Sequence, residues 1–157
     1  MITLDDLNID LNMDTILIDY PHGCSPSPLH ERTGKAINCL RETIAPDLYT
    51  PMANMTSFHT TSNRIRPWIK VLQIFYWDNL RNMDDIDINW SKKPGQWSVQ
   101  HDKQNRIVIR VKQCSGPRKY TLTFFVTTGT ICVQGNQYRL FINEHFPLLK
   151  QILSRVL

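Results

Sequence analysis

At 157 residues and 41% hydrophobic, with four Trp, five Tyr and six Phe, the chain can bury the core of one domain, which excludes a disordered polymer over most of its length. No apolar run approaches the roughly 18 to 20 residues of a membrane helix, and a start with Asp5, Asp6 and Asp10 is unlike a secretory signal, so the expected setting is intracellular, nucleus or cytoplasm, with no membrane attachment. The formal charge of +4 conceals an asymmetry: residues 1–90 hold seven basic residues against twelve acids, a net of −5, and residues 91–157 hold eleven against two, a net of +9.

In the N-terminal half, Ile9, Leu11 and Met13 alternate with Asp10, Asn12 and Asp14 before Ile16-Leu17-Ile18, the pattern of an extended arm or strand over residues 9–20. Three prolines and a glycine between residues 21 and 31 make a loop. Thr33 then caps an amphipathic helix to Ile44, with Ile37, Leu40 and Ile44 at helical spacing and Pro46 beyond its end. Residues 46–66 show no sustained period and are expected to be irregular. Pro67 suits the first turn of a helix to about Met83 that places Trp68, Val71, Leu72, Phe75 and Tyr76 on one side. Apolar over more than half its circumference, this helix must be buried, against the C-terminal half or against another chain. The Asp84-Asp85-Ile86-Asp87 run and Lys92-Lys93-Pro94-Gly95 read as a linker, dividing an acidic arm-and-helix region (1–90) from a basic module (91–157); the alternative is that the two form one compact domain.

After Gly95 the period becomes two. Strands are expected over residues 97–101, 106–112, 120–127 and 130–134, separated by turns at 102–105, 114–117 and Thr128-Gly129, where glycine accepts a positive φ. Alternation places Ile107, Ile109 and Val111 on one face of the second strand and Arg106, Val108, Arg110 and Lys112 on the other. It makes Trp97, Tyr120 and Phe124 core, and leaves Phe125 with Thr121, Thr123 and Thr127. Pro147 opens a final helix carrying Leu148, Leu149, Ile152, Leu153 and Val156. The expected fold class is α+β: a four-stranded antiparallel sheet with a C-terminal helix on one face, preceded by a mostly helical and irregular N-terminal half.

Motifs for chemistry are sparse. Cys24, Cys39, Cys114 and Cys132 match no metal-knuckle spacing and are expected to be reduced thiols. His22, Cys24 and His30 offer three ligand types on one loop without a fourth, and the prolines alone explain that loop. Asn54-Met55-Thr56 and Asn89-Trp90-Ser91 fit the glycosylation pattern, which needs secretion. The five His residues lack a neighbouring nucleophile and acid, and no Gly-rich phosphate loop occurs. No enzyme activity, cofactor or metal is expected.

A four-stranded meander closed by a C-terminal helix and basic on its open face resembles, in topology, the single-stranded nucleic-acid binding units of the PUR and Whirly families. The stretch Thr127-Thr128-Gly129-Thr130-Ile131-Cys132-Val133-Gln134-Gly135, followed by Phe146-Pro147-Leu148-Leu149-Lys150, is similar to a cassette of uncharacterised animal proteins, some associated with mobile elements. The charge of residues 91–157, beside the PUR and Whirly resemblance, leads to the expectation of a non-enzymatic nucleic-acid binding protein, single strands favoured over duplex. A positive sheet face tracks phosphates while an aromatic stacks a base. Its expected contacts are Arg106, Arg110, Lys112 and Phe125 on the sheet, with Arg118, Lys119, Lys92 and Lys93 in a turn and a linker. The alternative is a protein-interaction or assembly module, a homodimer included, built on the helix at 67–83 and the N-terminal arm.

Overall fold

Alternating apolar residues pair across a five-stranded antiparallel sheet. In a computed structural model, which describes residues 2–16, 55–60, 62–97, 105–114 and 119–157, the strands are β1 (Met55–His59), β2 (Ile86–Lys93), β3 (Arg106–Gln113), β4 (Lys119–Phe125) and β5 (Thr130–Gln134). Their order across the sheet is β1-β5-β4-β3-β2. Strands β2 to β5 form a meander, and the chain before it supplies β1 on the far side of β5. The fold is thus α+β, with five strands described rather than four.

One face of the sheet is apolar because the register stacks like with like: Ile107 faces Phe124, Ile109 faces Leu122 and Val111 faces Tyr120, and the row continues from Leu122 to Val133 and from Phe124 to Ile131 and Phe58. Two helical segments cover this face. The first is α1 (Ile65–Leu72), which widens into a π-helical stretch, Gln73–Asn79, and ends in a 3-10 turn, Leu80–Asn82. The second begins at Tyr138–Leu140, widens at Phe141–His145 and continues as α2 (Phe146–Val156), so Pro147 does not open the helix but lies inside one continuous helical run, just after its π-helical stretch. Phe58 lies against Trp68 and Phe146 at ring separations of 5.7 and 4.9 Å, so the edge strand and both helices share one aromatic cluster.

Trp68, Val71, Leu72, Phe75 and Tyr76 are all fully buried, as the helical spacing requires, and so are Ile69, Lys70 and Ile74 on the other side of α1. The N-terminal arm accounts for that second side. It carries two 3-10 turns, Leu4–Asp6 and Met13–Thr15, joined by extended chain, and pairs with no described strand. Asn79 holds it as a strand would, accepting from the Asn8 N–H at 2.7 Å and donating to the Asn8 carbonyl at 2.9 Å. Lys70 Nζ donates to Thr15 Oγ1 at 2.7 Å and Gln73 Nε2 to the Thr15 carbonyl at 3.0 Å. Arm, helices and sheet therefore form three layers, with α1 in the middle.

Several expectations need correction. The acid run and Lys92-Lys93 are not a linker: Ile86–Lys93 is β2, its Ile88 opposite Val111 and its Trp90 opposite Ile109, so the change in charge at residue 90 falls within a strand. Residues 46–66 are not irregular throughout, since β1 lies there. Trp97 is buried, but its Nε1 donates to the Lys93 carbonyl at 3.2 Å and the residue belongs to no strand. The loop at 21–31, the helix at 33–44, residues 98–101 of the expected first strand and Arg118 lie outside the described residues.

Candidate nucleic-acid interface

The period of two that buries one face turns every intervening side chain to the other, and cross-strand register gathers these into rows. At one end, Asp87, Lys112 and Lys119 are aligned; next come Asn89, Arg110, Thr121 and Gln134; then Ser91, Val108, Thr123, Cys132 and Ser57; and last Lys93, Arg106, Phe125 and Thr130. These described outward rows hold five cations, Lys93, Arg106, Arg110, Lys112 and Lys119, against one acid, Asp87. The two charged ends flank a neutral strip, and Arg106 and Arg110 stand about 13 Å apart along β3.

Of the expected contacts, the structure brings Arg106, Arg110, Lys112, Lys119, Lys93 and Phe125 to this one face. Lys93 and Lys119 sit on strands rather than in a linker or turn, and their positions are set by register. Lys92 does not belong with them: it lies opposite Ile107, on the helix side of the sheet, and is exposed only because β2 is an edge. Arg110, Lys112, Lys119 and Lys93 are exposed, whereas Arg106 is half-buried, its guanidinium carbon 5.9 Å from the centroid of the Phe125 ring. Phe125 is itself half-buried, leaving part of its ring to solvent. The pair presents a flat platform with a positive rim.

Arg110, Lys112 and Lys119 are differently placed. Lys112 and Lys119 are directly opposite one another, an arrangement that repels in the absence of an anion. All three side chains are exposed on the outward face. They line a shallow depression of about 370 Å³ whose walls include Asn89, Thr121 and Gln134.

A second polar cluster, which spacing alone did not reveal, lies inside the core. The Tyr120 hydroxyl is 2.6 Å from the Tyr76 hydroxyl and 2.6 Å from His145 Nδ1, so Tyr120 donates one hydrogen bond and accepts the other. Tyr76 and His145 each sit in one of the two π-helical stretches, whose wider turns aim both side chains at Tyr120. Burial pushes both phenol pKa values up and holds the His145 imidazole down at about 4, so all three groups are neutral at physiological pH. A closed, neutral, buried chain of this kind aligns two helices on a strand and presents no nucleophile to a substrate.

Among the described residues, no cluster of His, Cys, Asp or Glu is arranged to hold a metal, and His22, Cys24 and His30 lie outside them. Cys114 is exposed and Cys132 half-buried, both as free thiols, and burial raises the Cys132 pKa. No described helix is long and apolar enough to cross a membrane. No family model, curated protein or solved structure matches this chain.

Proposed function

We propose that this protein is a non-enzymatic nucleic-acid binding protein that holds a single strand on the outward face of its sheet. The observation that carries the proposal is the excess of five cations over one acid on a face whose end row also holds a half-exposed aromatic. Cations spaced along β3 track a phosphate backbone, and Phe125 offers a surface for a base, which a duplex keeps stacked inside.

Assembly through the helix at 67–83 and the N-terminal arm is the other reading, and burial of the helix weighs against its part in it. The apolar side chains it relied on are inside this chain's own core, sealed by the sheet on one side and by the arm on the other. A partner on α1 would first have to displace the arm.

Phe125→Ala tests the single-strand preference. Because one base-stacking contact contributes about 1–3 kcal/mol, single-strand affinity should fall roughly tenfold or more while the weaker duplex binding barely changes. Fluorescence anisotropy with matched single-stranded and duplex oligonucleotides measures both. Equal losses on the two substrates would show that Phe125 does not stack a base.

A further inference from the structure

Resting on that reading of the outward face, we infer that the depression at its Lys112–Lys119 end is a subsite for a terminal phosphate of the bound strand, a phosphomonoester rather than an internal diester. Charge points to it first. Three cations, Arg110, Lys112 and Lys119, border the depression with only Asp87 to offset them. An internal phosphate carries one negative charge, whereas a terminal monoester carries about −1.5 to −2 at pH 7 and has three oxygens to share among donors. The surplus matches the monoester.

Position points the same way. Gly135, in the turn after β5, borders the depression, and that turn is fastened to the start of β4: the Lys119 N–H donates to Asn136 Oδ1 at 3.1 Å and the Gln137 N–H donates to the Lys119 carbonyl at 3.1 Å. A strand that follows the cations of β3 from the Arg106–Phe125 platform comes to the depression at the other end of the described face. The side chains of Asn89, Thr121 and Gln134 add neutral polar groups that can hydrogen-bond the sugar or base of the last nucleotide, and about 370 Å³ lies within the range of small-ligand sites. Arg106, by contrast, is already seated against Phe125. The end-recognising cations are the three that border the depression.

The test compares one oligonucleotide sequence in three forms, with no terminal phosphate, with a 5′-phosphate and with a 3′-phosphate, together with a free nucleoside monophosphate. One of the two phosphorylated forms should bind about tenfold tighter than the unphosphorylated strand. That gain should vanish in Lys112→Ala/Lys119→Ala, whose retained fold is checked by its thermal melt. Equal affinity for all three strands would overturn the terminal subsite while leaving the sheet-face reading intact. Binding of the mononucleotide as tight as that of the phosphorylated strand would also overturn it, in favour of a free-nucleotide site. Failure of every strand to bind would overturn both.

Discussion

Gly135→Ala should destabilise the protein by about 3–5 kcal/mol, the largest effect expected of any single methyl group in this structure. Two causes add. Gly135 has φ +133°, a conformation that L side chains rarely adopt. A Cβ at this position would also lie 2.6 Å from the Lys119 carbonyl oxygen and 2.7 Å from the Tyr120 Cα. Both obstacles are backbone, and both belong to the strand that positions Lys119 on the outward face and Tyr120 in the core, so neither retreats without disturbing β4. For a chain of this length the loss corresponds to a fall of about 10 °C or more in Tm. A melt of Gly135→Ala within 2 °C of wild type would mean that the turn after β5 is not built as described.

Acidification should weaken the fold through His145. Its folded-state pKa of about 4, against 6.5 for an unperturbed imidazole, means that the unfolded chain takes up a proton that the folded chain refuses. A depressed histidine therefore favours folding in full above about pH 6.5, and that contribution drains away as the pH falls toward 4. Between pH 7 and pH 5 the expected loss is about 2 kcal/mol. This window lies above those of Asp6 and Asp10, whose carboxyl pKa values are lowered. Thr3 hydrogen bonds lower the pKa of Asp6 and those of Asn12 and Thr15 lower that of Asp10, while burial raises that of Asp78. Urea unfolding of the wild type and of His145→Leu at pH 7 and pH 5 separates the histidine from everything else. The wild type should lose about 2 kcal/mol more than the variant, and equal losses would place the imidazole in contact with water.

Much of this organisation is written in local pattern. The run from Arg106 to Lys112 shows its two faces by alternation alone, because three β-branched apolar residues occupy one and three cations with Val108 the other. Thr130–Gln134 is equally legible, bounded as it is by Gly129 and Gly135, both of positive φ. β2 is the instructive omission. Ile86, Ile88 and Trp90 do alternate, but three acids before Ile88 and a Lys-Lys-Pro-Gly end give it the composition of a linker, and only pairing with β3 reveals it as a strand. Such charge is normal on an edge strand, where it discourages pairing with other chains. β1 is short and polar, and it is a strand because Phe58 completes an aromatic cluster assembled from residues far along the chain.

The site was partly legible for the same reason. Alternation identifies Arg106, Arg110, Lys112 and Phe125 as neighbours on one face, yet it cannot say that Lys119 stands opposite Lys112 or that Lys93 extends the Arg106 row while Lys92 turns away. Those relations depend on register between strands. The Tyr76–Tyr120–His145 chain was beyond reach altogether, since it joins residues 44 and 25 positions apart through two π-helical stretches that carry no sequence signature.

The most direct measurement of the central claim is the salt dependence of single-strand binding by the wild type and by Arg110→Ala/Lys112→Ala/Lys119→Ala. If all five outward cations neutralise phosphates of a strand that carries the terminal phosphate, a plot of log K against log salt should have a slope of about −3.5, a loss of roughly a hundredfold between 50 and 200 mM, and the triple variant should flatten it to about −1.4 with its melt unchanged. A wild-type slope near zero, or the same slope in the variant, would contradict the assignment of this face to a phosphate backbone.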